Sequence, residues 1–208
     1  MKAGFVICIF ALGIGLPAEA IAGSVWVWAN NAKAASYTPN AKFTESPEEG
    51  KVQIKRTSPG RYEITMTGWK NAPPRASNVQ VTAYGAGSNH CKVASWSPSG
   101  DLLNIRVHCF TVGGTPDDSM FSALISYRED DSSSRNTAFA WSSSARASHT
   151  AKTHNGGNVQ VTAYGKSNTQ CKIQSWTKRR TDLVVKVLCF QPTGAPIDSL
   201  FSILVHGR

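Results

Sequence analysis

Four cysteines in the body of this chain have a spacing that indicates a definite chemistry. Cys91 and Cys109 are separated by the same number of residues as Cys171 and Cys189, and no Cys-x-x-Cys motif occurs. An even number of cysteines with this spacing favours disulfide bonds, because a zinc site usually needs close cysteine pairs or nearby histidines. We therefore predict disulfides and no metal site.

Basic residues and a tryptophan supply the second kind of candidate chemistry, which is binding. The chain carries a formal net charge of +9, and the basic run Lys178-Arg179-Arg180 falls at the tip of a predicted hairpin. Such a tip could hold an anionic glycan or a lipid headgroup, while general solubility is the alternative role of the charge. Trp69 follows a predicted strand near two prolines, so we expect it to be exposed and available to a ligand.

An internal duplication connects these residues. The segment 78–127 aligns with 158–207 without a gap, and nearly half of the aligned positions are identical, far above chance. The cysteines coincide in this alignment. From the three ways of pairing four cysteines, the repeat therefore selects the bonds Cys91–Cys109 and Cys171–Cys189.

Upstream of the aligned segment, the second copy is shorter than the first. The sequence at Trp28 resembles that at Trp141, and these two positions lie further apart in the chain than the aligned segments do, so part of 37–77 has no counterpart. This region contains 51–55 and 61–66, which alternate like strands, with the turn Ser58-Pro59-Gly60 between them. We expect that the second copy has lost one hairpin and exposes a sheet edge or a core face, which a neighbour would cover.

The duplication also tests the chain for catalysis, because a site that serves both copies should occur in both. Among the acidic residues of the aligned segments only Asp118 and Asp198 correspond, and no histidine recurs. A Gly-x-Ser-x-Gly elbow is missing, and paired carboxylates are poorly supported. We therefore predict a protein that is not an enzyme and needs no cofactor. For the two aspartates we expect an Asx turn, with a ligand or calcium contact as the alternative.

The first residues indicate export. Lys2 precedes about a dozen apolar residues, and Ala20-Ile21-Ala22 offers a small-x-small cleavage site, so residues 1–22 are predicted to be a signal peptide. The apolar run is too short to cross roughly 30 Å of hydrocarbon, and we predict no transmembrane segment. We expect a secreted or periplasmic protein, where disulfides form and where nucleic acid is the least expected partner.

β-strands are the elements that must position these residues. Short alternating segments with turn signals between them recur along the chain, and none has the period of a long amphipathic helix. Cys91 and Cys109 flank a hairpin symmetrically, with Gly100 at its turn. We predict an all-β fold, an antiparallel immunoglobulin-like sandwich. It comprises a complete unit at 23–128, a polar linker at 129–138 and a shortened unit at 139–208.

Recurring aromatic residues are expected to belong to the core of these units. An aromatic ring beside a buried disulfide is more often a core residue than a platform for a sugar. This applies to the pairs Trp96/Trp176 and Tyr84/Tyr164. Trp26 and Trp28 are two residues apart on one predicted strand and so share a face, which we expect to be the core face.

A set of short motifs runs through the first copy and returns in part in the second. They are Trp28-Ala29, Tyr37-Thr38-Pro39, Gly60-Arg61-Tyr62, 78–85, Cys91/Trp96/Cys109-Phe110 and 114–121. This combination resembles a group of exported bacterial proteins that carry one or more copies of a disulfide-bonded β-unit. The resemblance implies export and architecture, without an activity. The second copy departs from the pattern by lacking Tyr-Thr-Pro and Gly-x-Tyr.

Taken together, duplication without a catalytic set favours an exported binding module. Its expected ligand is an anionic or carbohydrate component of the cell envelope, held by the basic run or by Trp69. A structural or protein-interaction role, including dimerisation through the shortened unit, is the first alternative. A secreted inhibitor or effector that presents a stapled hairpin is the second.

Overall fold

The computed structural model of the chain describes residues 22–46, 50–69, 77–128, 137–142, 150–152, 157–179 and 182–207. The predicted signal peptide lies outside them except for Ala22, as does the predicted linker up to residue 136. Within the described ranges the secondary structure is β-strand apart from a short 3-10 helix at Ala41–Phe43, which confirms the all-β prediction. No helix in these ranges is long and apolar enough to cross a membrane.

The first copy forms two antiparallel sheets. One has the strand order β1-β8-β5 and the other the order β2-β3-β4-β7-β6. The strands are β1 Ala22–Ala29, β2 Ser36–Tyr37, β3 Val52–Ser58, β4 Arg61–Met66, β5 Ser77–Tyr84, β6 His90–Ser99, β7 Leu102–Phe110 and β8 Met120–Arg128. The predicted turns at Ser58-Pro59-Gly60 and at Gly100 are therefore confirmed.

Alternation along the strands builds a core between these sheets. In β4, Tyr62, Ile64 and Met66 are buried while the residues between them face outward. Buried side chains from both sheets form one apolar cluster, so the two sheets pack face to face. The strands β5 and β6 are edge strands of different sheets and lie beside each other, on one side of the first copy.

The position of Trp69 differs from the expected one. Its side chain is only 3 % exposed. The ring packs edge-on against Tyr127 with centroids 5.1 Å apart, and its backbone N–H donates to the carbonyl of Asp101 over 3.1 Å. The expectation that Trp69 is an exposed binding aromatic is therefore wrong, because β8 supplies a ring that covers it.

The tryptophans of β1 also differ from expectation. The core positions of this strand are taken by Val25, Val27 and Ala29, which are buried. Trp26 is consequently exposed on the outer face, and Trp28 is half-buried against Phe43 and Tyr84. The prediction that both tryptophans are core residues is wrong.

The second copy also forms two antiparallel sheets, with the orders β11-β14-β9 and β10-β13-β12. Its strands are β9 Thr137–Trp141, β10 Thr150–Lys152, β11 Gly157–Ala163, β12 Gln170–Arg179, β13 Asp182–Phe190 and β14 Phe201–Gly207. β9 begins two residues before the predicted boundary at 139, because Thr137 and Ala138 pair with β14. The division into units at 23–128 and 139–208 stays a prediction, as does the finer comparison with immunoglobulin domains.

Strand registers repeat between the copies in the same alignment as the sequence. Val79 pairs with Ile125 in the first copy, and Val159 pairs with Val205 in the second. Each cysteine pair lies directly opposite across a hairpin, and both hairpins carry a bulge at the third residue after the first cysteine. The disulfides Cys91–Cys109 and Cys171–Cys189 are as predicted. Each disulfide joins two neighbouring strands of one sheet.

The shortened sheet leaves a less completely buried core. β10 pairs at only three positions with β13, and β13 is the strand that corresponds to β7. Ile105 and Val107 of β7 are fully buried, whereas their counterparts Val185 and Val187 are half-buried. The residues missing from the second copy thus correspond to the strands that close the core of the first.

Candidate interaction surface

Two of the three basic residues lie at the end of a strand, as the predicted hairpin requires. Lys178 and Arg179 are the last two residues of β12 and pair with Leu183 and Asp182 of β13. Arg180 lies outside the described residues. Trp69, the other candidate binding residue, belongs to the core of the first copy, so the structure does not combine the two into one site.

Asp118 is held by the β3–β4 hairpin of the first copy. Arg56 donates to both carboxylate oxygens over 2.8 Å, and the N–H of Gly60 donates to Oδ1 over 2.9 Å. The hydroxyl of Tyr62 lies 3.2 Å from the same oxygen, and burial raises the pKa of that hydroxyl. The hydrogen bonds from Arg56 hold the pKa of Asp118 below its usual range. The predicted Asx turn is wrong at this residue, because its carboxylate caps another turn.

This arrangement favours a structural role for Asp118 over a calcium site. Its carboxylate is already occupied by the guanidinium of Arg56, by Gly60 and by Tyr62. Among the residues that the structure describes, no group of three or more His, Cys, Asp or Glu side chains could hold a metal ion. The Gly-x-Pro-x-Asp-Ser turn is thus clamped to the β3–β4 hairpin in the first copy.

A polar contact between the two copies is the feature that the sequence did not reveal. Asn78 and Gln80 point outward from β5 and are nevertheless buried. Asn78 Nδ2 donates to Ser202 Oγ over 2.7 Å and to the carbonyl of Ile203 over 3.1 Å. Gln80 Nε2 donates to the carbonyl and hydroxyl oxygens of Ser202 over 3.2 and 3.0 Å. The outer face of β14 therefore covers these two amides.

Part of the free backbone of the edge strands is hydrogen-bonded by the same contact. The N–H of Val81 on β5 donates to Thr162 Oγ1 over 3.1 Å, and the Thr162 hydroxyl lies 3.3 Å from the Val81 carbonyl. On β6, the Val93 carbonyl accepts from the N–H of Gly165 over 3.0 Å, and Val93 forms a bridge with Tyr164. Covering an edge in this way removes a template for strand addition.

A lysine and two aromatic rings also belong to the contact. Lys92 is 1 % exposed, and its ammonium group donates to Thr169 Oγ1 over 3.1 Å and lies 3.4 Å from Ser167 Oγ. Burial lowers the pKa of Lys92 to about 8, since an uncharged amine is less costly to bury. The rings of Trp96 and Tyr164 meet edge to face, with centroids 5.2 Å apart.

We name the two sides of this contact by their residues. The edge surface of the first copy is Asn78, Gln80, Val81, Lys92, Val93 and Trp96. The loop face of the second copy is Thr162, Tyr164, Gly165, Ser167, Thr169 and Ser202. The contact is heterologous, because the two sides are made of non-equivalent residues.

The counterparts of both surfaces are open. In the alignment of the two copies, the edge surface of the second copy is Asn158, Gln160, Val161, Lys172, Ile173 and Trp176. The loop face of the first copy is Thr82, Tyr84, Gly85, Gly87, Asn89 and Ser122. Trp176 is 49 % exposed and Tyr84 is 54 % exposed, so the expectation that the recurring rings are core residues is wrong for these two.

The open loop face already has the geometry of the occupied one. In the second copy Trp141 packs on Tyr164 with centroids 5.5 Å apart and planes at 81°. In the first copy Trp28 packs on Tyr84 with centroids 5.7 Å apart and the same angle. Trp28 therefore holds the ring of Tyr84 in the same way as Trp141 holds the ring of Tyr164, which lies in the contact.

Two equivalent glycines, one in each copy, differ in whether the other copy packs against them. Gly114 and Gly194 have positive φ angles of 83° and 84°. A Cβ on Gly114 would lie 2.4 Å from Asn168 Nδ2 and 2.6 Å from Pro192 Cγ, both in the second copy. At Gly194 no described atom lies within 4 Å of that position.

One feature of the sequence is consistent with this contact. The identity between the copies is unbroken from Asn78 to Gly85 and from Asn158 to Gly165. It includes outward-facing polar positions, which a freely solvated face does not constrain. No family model, curated protein or solved structure matches the chain.

Proposed function

We propose that this protein is an exported, non-catalytic interaction module whose second copy binds a protein partner through its edge surface. One observation carries the proposal: the edge surface of the first copy is covered by hydrogen-bonded contacts, while that of the second is open and carries the half-exposed Trp176. The two disulfides suit an oxidising compartment outside the cytoplasm.

The chemistry of the edge surface favours a protein as the partner. Asn158 and Gln160 are exposed amides on the edge strand β11, and β12 is the edge strand of the neighbouring sheet. Edge strands recognise other chains through main-chain hydrogen bonds, while alternate side chains supply specificity. The first copy's edge surface binds the second copy through one such main-chain bond, from the N–H of Gly165 to the Val93 carbonyl, and through bonds between side chains and backbone.

A second candidate function is the binding of an anionic glycan or lipid headgroup by Lys178-Arg179-Arg180. What supports it is the position of Lys178 and Arg179 at the end of β12, where the strand reaches the hairpin turn. Trp69 takes no part in this candidate, because it is buried.

Site-specific photo-cross-linking in the exporting organism tests the main proposal. A photoreactive phenylalanine derivative replaces Trp176 in the full chain, and a matched variant carries it at Lys186, which is exposed on β13 and faces the opposite side of the sheet. We expect a protein adduct from position 176 and none from position 186. The proposal is overturned if position 176 yields no protein adduct, or if both positions yield the same adducts.

A further inference from the structure

The contact between the copies cannot be a two-fold arrangement. In a two-fold contact Thr82 would bond to Val161 as Thr162 bonds to Val81. Thr82 is instead exposed, and so is Ser122, the counterpart of the buried Ser202. A heterologous contact between two similar units leaves one complementary surface unused on each unit, and it can be repeated with further units.

We propose that the protein partner is a second copy of this chain, bound head to tail. The edge surface of the second copy in one molecule packs on the loop face of the first copy in the next. This inference rests on the proposed function and names the partner of the same surface. It extends the arrangement inside the chain by one further step, so that every copy covers the edge of its neighbour.

Most residues of the two named surfaces recur on the open surfaces, while His90 and Asn168, which also meet across the contact, have Gln170 and Ser88 as counterparts. Five of the six residues of the edge surface are identical in the two copies, and the sixth changes only from Val93 to Ile173. On the loop face, Thr82, Tyr84, Gly85 and Ser122 are the same residue types as their counterparts. The hydroxyl groups, the tyrosine ring and the glycine backbone that receive the edge are thus available twice.

The two differences on the loop face concern the lysine. Gly87 and Asn89 replace Ser167 and Thr169, the residues that receive Lys92. Asn89 Nδ2 donates to Asp117 Oδ2 over 3.0 Å, which leaves the side-chain oxygen of Asn89 to accept from Lys172. Asp117 also provides a carboxylate beside the incoming ammonium, where the second copy has Ile197. The substitution therefore supplies opposite charge to Lys172.

Exposed apolar groups lie on the two open surfaces or beside them. Tyr84 and Trp26 are both exposed, on the outer side of the β1-β8-β5 sheet, and Trp176 is exposed on the opposing surface. Val112 is exposed as well, and its counterpart Pro192 is the residue that lies against Gly114. Exposed apolar groups concentrated on complementary surfaces mark interaction sites.

Complementation between two single variants tests the arrangement. Trp176→Ala removes the ring of the open edge surface, and Tyr84→Ala removes the ring of the open loop face. Both side chains are about half exposed, so the fold should survive, which circular dichroism checks. Lys186→Ala is the control, because Lys186 is exposed and its counterpart Arg106 stays exposed in the contact inside the chain. Each protein is studied as the full mature chain by sedimentation velocity over a range of concentrations.

Wild type and Lys186→Ala should form oligomers larger than dimers as concentration rises. Each single variant alone should need at least roughly tenfold higher concentration to associate, since a central aromatic anchor dominates such contacts. An equimolar mixture of the two variants should form dimers and stop there, because Trp176→Ala keeps an intact loop face and Tyr84→Ala an intact edge surface.

Two results would overturn the inference. The first is a wild type that stays monomeric at every concentration. The second is a mixture that associates no better than either variant alone, which is the behaviour of a symmetric contact. In the cross-linking experiment, an adduct between position 176 and a different protein would support the proposed function while rejecting self-assembly. Failure of one proposal is therefore distinguishable from failure of the other.

Discussion

The ammonium group of Lys92 donates a hydrogen bond to Thr169 Oγ1 over 3.1 Å, across the contact between the two copies. Lys172 occupies the equivalent position on the second copy and is exposed. Two equivalent lysines thus have different environments in one molecule. Lys92 is covered by the other copy, and Lys172 is not.

Stability should rise with pH above about 8 because of Lys92. Its pKa falls from 10.5 to about 8 on burial, so between these values the unfolded chain binds more protons than the folded one. The free energy of unfolding then increases with pH, by at most about 1.4 kcal/mol per pH unit. Urea unfolding on both sides of pH 8 measures it. Lys92→Met should abolish the rise and Lys172→Met should keep it; an unchanged rise in Lys92→Met would contradict the assignment.

Asp118→Asn should destabilise the first copy by about 2 kcal/mol, the cost of losing charge-assisted hydrogen bonds in a partly buried site. Glu63→Gln is the matched control, because the Glu63–Arg106 ion pair is more exposed than the Arg56–Asp118 pair and should contribute less than about 1 kcal/mol. The pKa of Asp118 lies below its ordinary 3.8. Its stabilising effect is therefore complete above that pH and is lost as pH falls through the lowered value.

Denaturant unfolding of both variants near neutral pH and in acid checks this expectation. The difference between wild type and Asp118→Asn should narrow in acid, where the wild-type carboxylate also becomes protonated. Equal losses in the two variants would show that the clamp is no stronger than a surface ion pair.

Replacing Lys178, Arg179 and Arg180 by Ser tests the second candidate function. Retention on an immobilised anionic glycan and on anionic vesicles should fall in this variant, and wild-type retention should weaken with salt. Replacing Lys33, Lys42 and Lys55, which are exposed in the first copy, removes the same charge elsewhere. Equal losses in the two variants would assign retention to overall charge and reject a site at the hairpin tip.

Much of the local structure could be predicted from the sequence. The repeat selected the disulfides, because equivalent cysteines fall on equivalent strands. Alternation located β4 and β5, since each carries apolar residues on one face. Alternation failed on β1, where Val25 and Val27 compete with Trp26 and Trp28 for the core, so both faces of the strand are apolar.

The contact between the copies depends on residues far apart in the chain. Asn78 and Gln80 look like solvated positions of a strand, and they are buried only because Ser202 lies over them. Trp69 is a similar case, since its burial depends on Tyr127. Local patterns give the two faces of a strand, but they do not give which other element covers each face.

The covalent connection between the two copies has a consequence for assembly. Within one molecule the edge surface and the loop face are tethered, so their contact forms at a high effective concentration that does not change on dilution. The contact between molecules has no such tether and follows mass action. A head-to-tail array would therefore alternate permanent and reversible joints, and dilution would divide it only into whole chains, each with its internal contact intact.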